Sequence, residues 1–111
     1  MKTQITEIVQ RIKNKHLNVP TVSEDKDQIV ELILSHVQEA IPAIYSMDED
    51  TLEWISSRFE EISYKLQNKE FIECLKDLLI RFPDNVIIKE DMQDTVEIYY
   101  GKRRPILYNA T

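Results

Sequence analysis

The sequence contains a single glycine, Gly101, among 111 residues. Loops that cradle phosphate groups need several positions without a side chain, so a Gly-rich nucleotide loop is excluded. Cysteine is equally scarce, because Cys74 stands alone and no intramolecular disulfide can form. The small secreted domains that disulfides hold together are therefore excluded as well.

Only two histidines are present, His16 and His36, and they are too far apart in sequence for the i, i+4 pair of a helical zinc site. One cysteine does not complete a structural zinc site either, so we expect no metal and no cofactor. We interpret His36 as a histidine at the edge of the core and Cys74 as a small buried hydrophobe. No constellation of acid, base and nucleophile is recognisable, and we therefore expect no enzymatic activity.

Long hydrophobic runs are also missing, because the longest uninterrupted ones cover three residues, such as 32–34 and 78–80. A membrane-spanning helix needs about 20 predominantly apolar residues. The first seven residues are charged and amphipathic and lack the apolar region of a signal peptide. We expect a soluble, cytoplasmic protein that forms a single domain over residues 1–111.

Acidic residues are plentiful and unevenly placed. The formal net charge of the chain is −6. Residues 21–66 hold eleven acids against three bases, whereas residues 1–20 hold four bases and one acid. An acidic middle repels nucleic-acid phosphates and attracts basic surfaces, so we expect no nucleic-acid partner.

Apolar residues recur at helical spacing in four segments, at about residues 3–15, 21–41, 46–66 and 68–82. Pro42 is expected to end or kink the second of these helices. Capping boxes at Ser46 or at Asp50 predict where the third begins. In the third segment Leu52, Ile55, Phe59, Ile62 and Leu66 form a narrow stripe that is typical of a helix packed on another helix.

After residue 83 the hydrophobic period changes from 3.6 to 2. Residues 86–90 and 95–100 are predicted to be strands, and residues 91–94 have the length of a hairpin loop. Residues 104–108 form a candidate third strand. The predicted fold class is α+β, with four amphipathic helices in residues 1–83 and an antiparallel hairpin or three-stranded meander in residues 84–111. The alternative is an all-α bundle with an extended tail.

Acids and aromatic residues outside the stripe predict a protein-binding surface. Trp and Tyr are common anchors of interfaces, and complementary charge speeds encounter. The predicted partner-binding residues are Asp48, Glu49, Asp50, Glu53, Trp54, Glu60, Glu61 and Tyr64.

Two functions follow as hypotheses. The first is a small acidic domain that binds and neutralises a basic protein, as an immunity protein or antitoxin does, with nucleases among the expected targets. The alternative is a homo-oligomeric structural or regulatory module, because a surplus apolar face can be buried across a two-fold axis. A smaller feature stays open: Tyr99 and Tyr100 beside Arg103 and Arg104 either stack on bases or form a strand end and a basic turn.

Overall fold

The computed structural model of the protein describes residues 1–15 and 21–101, and the regular structure within those ranges is entirely helical. The elements are α1 (Lys2–Lys13), α2 (Thr21–Ser35), α3 (Val37–Ser46), α4 (Glu49–Ile55), a 3-10 turn (Ser56–Arg58), α5 (Phe59–Leu66), α6 (Lys69–Arg81) and α7 (Val86–Tyr99). The predicted α+β fold class is therefore wrong. The described residues are all-α, which is the fold class of the alternative prediction. The candidate third strand at 104–108 and the extended tail lie outside the described residues.

The chain divides into two compact units, which we call unit 1 (Met1–Ile55) and unit 2 (Ser56–Thr111). In unit 1, α1 contacts α2, α3 and α4. Its apolar face is fully used, since the four aliphatic side chains at helical spacing are buried. They are Ile5, Ile8, Val9 and Ile12. The first predicted helix and its packing face are thus confirmed.

The second predicted helix is in fact two helices, separated at His36. This residue leaves the helical region, with φ −140° and ψ 56°, and its carbonyl accepts the N–H groups of Glu39 and Ala40 at 3.0 Å. Pro42 consequently lies inside α3, so of the two effects predicted for it, an end or a kink, the end is wrong. The apolar arc continues beyond His36, since Ala40 and Ile44 are buried. Hydrophobic periodicity alone therefore could not reveal a break of one residue.

The third predicted helix is also interrupted, by the 3-10 turn between α4 and α5. Ser56 and Ser57 occupy this turn, and the Ser56 hydroxyl donates to Asp91 Oδ2 of α7 at 2.6 Å. Neither predicted capping box starts α4. Asp48 does so instead, because its Oδ1 accepts the backbone N–H of Thr51 at 2.8 Å.

In unit 2, α7 contacts α5, α6 and the 3-10 turn. The rings of Phe59 on α5 and Phe71 on α6 meet edge to face, with centroids 6.1 Å apart and both side chains fully buried. The Asn68 side chain caps α6 by accepting the N–H of Phe71 at 2.9 Å. This confirms the fourth predicted helix, including its first residue to within one position.

The predicted strands at 86–90 and 95–100 are instead the continuous helix α7. Asn85 caps it, since its Oδ1 accepts the N–H of Ile88 at 3.0 Å. The buried side chains are Ile88, Met92, Thr95 and Ile98, which recur at helical spacing. Gly101 follows the helix with φ 75° and donates its N–H to the carbonyl of Ile98 at 3.1 Å. The sole glycine therefore closes a helix, where a left-handed residue is favoured.

None of the helices within residues 1–15 and 21–101 combines the length and apolar character needed to span a membrane.

Candidate protein-binding surface

Acidic side chains dominate one continuous part of unit 1. We call residues 27–55 the acidic segment, because they include seven carboxylates and neither lysine nor arginine. The carboxylates are Asp27, Glu31, Glu39, Asp48, Glu49, Asp50 and Glu53. All are exposed except Glu53, which is half-buried. Their charge therefore faces solvent and is not balanced by a cation within the segment.

Two of the predicted partner-binding acids have roles within unit 1. The backbone N–H of Thr51 bonded to Asp48 is the main cause that holds the pKa of this carboxyl below its ordinary value. Asp50 forms an ion pair with Lys13 of α1. Both acids fix the start of α4, and substituting them would perturb the fold as well as a surface.

Three further predicted residues lie on α4. Glu49 is exposed, whereas Glu53 and Trp54 are half-buried. A half-buried Trp in a helix of seven residues has part of its ring available to a partner. The structure therefore places Glu49, Asp50, Glu53 and Trp54 on α4 and Asp48 at the cap of this helix.

The remaining predicted residues belong to unit 2. Glu60, Glu61 and Tyr64 lie on α5 and are all half-buried. Glu61 pairs with two cations, Lys65 of α5 with its Nζ at 2.9 Å and Arg58 of the 3-10 turn with its Nη1 at 3.6 Å. Its charge is largely compensated, so it is a poorer candidate for steering a basic partner than the acids of unit 1.

Sequence reasoning missed Asp27, Glu31 and Glu39 as surface candidates. Glu31 lies on α2 and Glu39 in the first turn of α3, and neither makes an ion pair within the described part of the chain. The signal was present in the sequence. The absence of lysine and arginine from residues 27–55 identifies the acidic segment as a candidate surface, and it does so more clearly than the aromatic residue Trp54.

A small ion-pair cluster lies on the edge of this surface. Asp25 is buried and accepts hydrogen bonds from Lys15 Nζ at 2.6 Å and from Arg11 Nε at 3.1 Å. The bond from Lys15, together with the charge of both cations, lowers the pKa of Asp25, although burial opposes the shift. The cluster joins α1 to α2.

His36 does not occupy the place that the apolar arc predicts. It is exposed between α2 and α3 instead of lying at the core edge, because the helix breaks there. Together with Gln28, Glu31, Leu32 and Ser35 it lines a shallow, open depression of about 170 Å³ on unit 1.

Cys74 is fully buried, as its position on the apolar face of α6 predicts. Burial is the main cause that raises the pKa of its thiol to about 12. A thiol in this state stays protonated at neutral pH and is not an activated nucleophile. Among the described residues, no group of three or more metal-binding side chains is placed to hold an ion.

At the end of α7, the rings of Tyr99 and Tyr100 meet edge to face at 5.1 Å. Lys76 Nζ lies 5.5 Å from the centre of the Tyr100 ring. Local neighbours therefore already occupy part of this aromatic surface. Arg103 and Arg104 lie outside the described residues, so the suggested role of this segment stays a prediction.

The chain matches no protein-family model, no curated protein and no solved structure.

Proposed function

We propose that the chain is a small acidic protein-binding domain that neutralises a basic protein partner, in the manner of an immunity protein or antitoxin. Enzymes that act on nucleic acids are the class of target that fits best, because they must present basic surfaces to phosphates. The observation that carries the proposal is the acidic segment, in which seven carboxylates occur without a lysine or arginine.

The exposure of these acids supports the proposal. Charges that face solvent act over about 8 Å at physiological ionic strength, and they raise the rate of encounter with a basic surface. Buried aromatic contact then supplies affinity, and Trp54 is the residue of the segment best suited to it. Asp48 and Asp50 contribute charge while also holding α4 in place.

The test is capture of a partner from the cells that produce the protein. We expect the immobilised wild-type chain to retain a protein of basic isoelectric point. The double variant Glu31→Lys with Glu39→Lys should lose it, because both positions are exposed and the two changes lower the formal charge of the acidic segment from −7 to −3 without touching the Asp48 cap.

The matched control is Glu70→Lys with Glu90→Lys, at exposed positions of unit 2. This variant changes the net charge by the same amount and should capture the partner as the wild type does. Equal losses in both variants would mean that only net charge matters. Capture that survives reversal of Glu31 and Glu39, or failure to recover any basic partner, would overturn the proposal.

A second candidate, the homo-oligomeric module, draws on a different observation. The stripe that suggested it is buried, since Leu52, Ile55, Phe59 and Ile62 are all at most 1% exposed. Unit 2 nevertheless exposes other apolar side chains beside the α6–α7 turn, namely Ile80 (77%), Val86 (64%) and Ile87 (52%). Light scattering separates the candidates, because a monomer at micromolar concentration favours the binder and a tight dimer favours the module.

A further inference from the structure

Exposed aliphatic side chains are concentrated where α6 ends and α7 begins. Among the described residues, five large hydrophobic side chains are exposed, and the three aliphatic ones all fall within residues 80–87. They are Ile80 (77%), Val86 (64%) and Ile87 (52%). Single exposed hydrophobic residues are ordinary, whereas a group of them indicates an interaction surface. We call residues 80–90 the α6–α7 corner.

Two further apolar residues extend the surface of the α6–α7 corner. Phe82 is half-buried, and the guanidinium carbon of Arg81 lies 4.8 Å from the centre of its ring. Pro83 is exposed in the turn. The two helices contact each other within unit 2, and the Asn85 cap fixes the start of α7. The apolar side chains are therefore carried by a backbone whose conformation is set by the fold.

The charges around the α6–α7 corner are balanced. Its two bases and two acids are all exposed, and they are Arg81, Asp84, Lys89 and Glu90. The whole chain has a formal charge of −6, so most surfaces of one copy repel a second copy. A corner without net charge avoids that repulsion, and it favours neither a strongly basic nor a strongly acidic partner.

Two of these charges are placed symmetrically about the apolar pair Val86–Ile87. Asp84 and Lys89 are equally far from that pair along the chain, and neither forms an ion pair within the described ranges. A two-fold axis that sets Val86 and Ile87 against the same residues of a second copy brings Asp84 of each copy to Lys89 of the other. Both charges then gain a partner that their own chain does not provide.

We infer that the α6–α7 corner binds a second copy of this chain across a two-fold axis, with its exposed aliphatic side chains in the centre and Asp84 paired with Lys89 of the other copy. Standard interfaces use about 20–30 residues a side, and the corner supplies about half that number, so the dimer is weak. Weak pairing through unit 2 is compatible with a chain that is monomeric at micromolar concentration and binds a basic partner through unit 1. The inference therefore goes beyond the acidic binder, and the tight dimer of the second candidate function is a separate outcome.

Sedimentation equilibrium of the full chain tests the inference. We expect the wild type to be mainly monomeric at about 10 µM and mainly dimeric at about 1 mM, which corresponds to a dissociation constant of about 0.1 mM. A wild type that stays monomeric at the higher concentration would overturn the inference, while the acidic binder, which uses unit 1, would stand.

The double variant Ile80→Gln with Ile87→Gln removes apolar surface from the α6–α7 corner. Because both positions are exposed, the fold should be kept, and the dissociation constant of the dimer should rise by about tenfold or more. Tyr45→Gln, at an exposed position of unit 1, is the control and should change this constant by less than about twofold. Equal dissociation constants for the wild type and the double variant, or equal weakening by the control, would rule out the corner as the contact surface.

Exchange of charge identifies the occupant as a second copy. Asp84→Lys sets bases against bases across the axis, and Lys89→Asp sets acids against acids, so each variant alone should self-associate about fivefold more weakly than the wild type. An equimolar mixture of the two variants should pair as the wild type does, because each supplies the charge that the other lacks. Variants that self-associate at full strength, or a mixture that stays monomeric, would contradict the two-fold arrangement.

The captured basic partner separates this inference from the proposed function. If Ile80→Gln with Ile87→Gln self-associates normally but no longer retains the partner, the α6–α7 corner belongs to the partner and the inference is wrong. If the same variant loses self-association and still retains the partner, the inference and the acidic binder both stand. If the wild type pairs as expected but captures no basic protein, the inference stands and the proposed function fails.

Discussion

Two buried serines of unit 2 differ in how their hydroxyl groups are satisfied. Ser56 is 1% exposed and donates to Asp91 Oδ2 at 2.6 Å, whereas Ser63 is 3% exposed and has no hydrogen-bond partner among the described residues. A buried polar atom without a partner costs about 1–3 kcal/mol, and a satisfied one stabilises the fold.

We expect Ser63→Ala to raise the free energy of unfolding by about 1 kcal/mol and Ser56→Ala to lower it by about 1–2 kcal/mol. Urea denaturation of the two single variants measures both values. Because the two substitutions are chemically identical and both sites are buried, they control for each other. Equal destabilisation by both would contradict the assigned hydrogen bonding.

Asp25 gives the fold a pH dependence of known sign. Its pKa in the folded protein lies below the ordinary value of 3.8, chiefly because Lys15 donates to it. The ionised carboxylate therefore stabilises the fold above about pH 4, and that contribution is lost as the pH falls through the folded-state pKa.

We expect Asp25→Asn to lower the free energy of unfolding by about 1 kcal/mol at pH 7, a modest value because Arg11 and Lys15 are partly exposed. The difference in the free energy of unfolding between this variant and the wild type should become smaller as the pH falls below 4. Denaturant unfolding at a series of pH values measures it, with the exposed Glu31→Gln as control. A gap that stays constant from pH 7 to pH 2 would argue against the ion-pair cluster.

Gln67 ends α5 in the left-handed region, with φ 49° and ψ 43°. A residue with a side chain costs about 1–2 kcal/mol there relative to glycine, and the bond from Gln67 Nε2 to the carbonyl of Tyr64 offsets only part of this cost. Gln67→Gly should therefore raise the melting temperature. Gln93→Gly, at an exposed position inside α7, should lower it, since glycine disfavours a helix interior. Destabilisation by both would show that Gln67 is not strained.

At the scale of elements, α7 shows where sequence reasoning failed. Three β-branched residues in a row (86–88) and the alternation of Val96, Ile98 and Tyr100 predicted strands. The helical pattern is less evident because one of its four buried positions is a threonine. These positions are Ile88, Met92, Thr95 and Ile98. The scarcity of glycine was the better guide, because a tight hairpin between residues 90 and 95 favours Gly or Asn, and residues 91–94 contain neither.

The Asn85 cap tests that α7 is a helix. Asn85→Ala should lower the free energy of unfolding by about 1 kcal/mol, while Asn85→Asp should retain most of the stability, because aspartate also accepts the first-turn N–H. Asp84→Ala, at the exposed neighbouring turn position, is the control and should change stability by less than about 0.5 kcal/mol. If all three variants behave alike, the cap is not formed.

Helices with strong caps and one clear apolar face were predictable, as α1 and α6 show. The breaks at His36 and at residues 56–58 were not, because the apolar faces on either side of each break continue in phase. The negative charge of the candidate surface could be predicted from the sequence, but the residues that form the surface could not. Sequence could not tell that Asp48 and Asp50 hold α4 while Glu31 and Glu39 remain on the surface without an ion pair in the described residues.

Charge is distributed unequally along the whole molecule. Unit 1 holds ten acids and five bases, and the bases are concentrated on and near α1, whereas the acidic segment has none. In residues 56–89, by contrast, lysines and arginines are distributed among the acids, and only the second half of α7, with four acids at residues 90–97, repeats the pattern of the acidic segment. A basic partner would accordingly be drawn to the acidic segment of unit 1.

The association rate of the captured partner, measured as a function of salt concentration, shows whether the acidic segment attracts a basic protein. We expect rates for the wild type and for Glu70→Lys with Glu90→Lys to fall by about tenfold or more between 20 mM and 500 mM salt, as electrostatically steered binding does. The variant Glu31→Lys with Glu39→Lys should associate slowly at low salt and depend little on salt. Identical salt dependence in all three proteins would show that the acidic segment does not attract the partner.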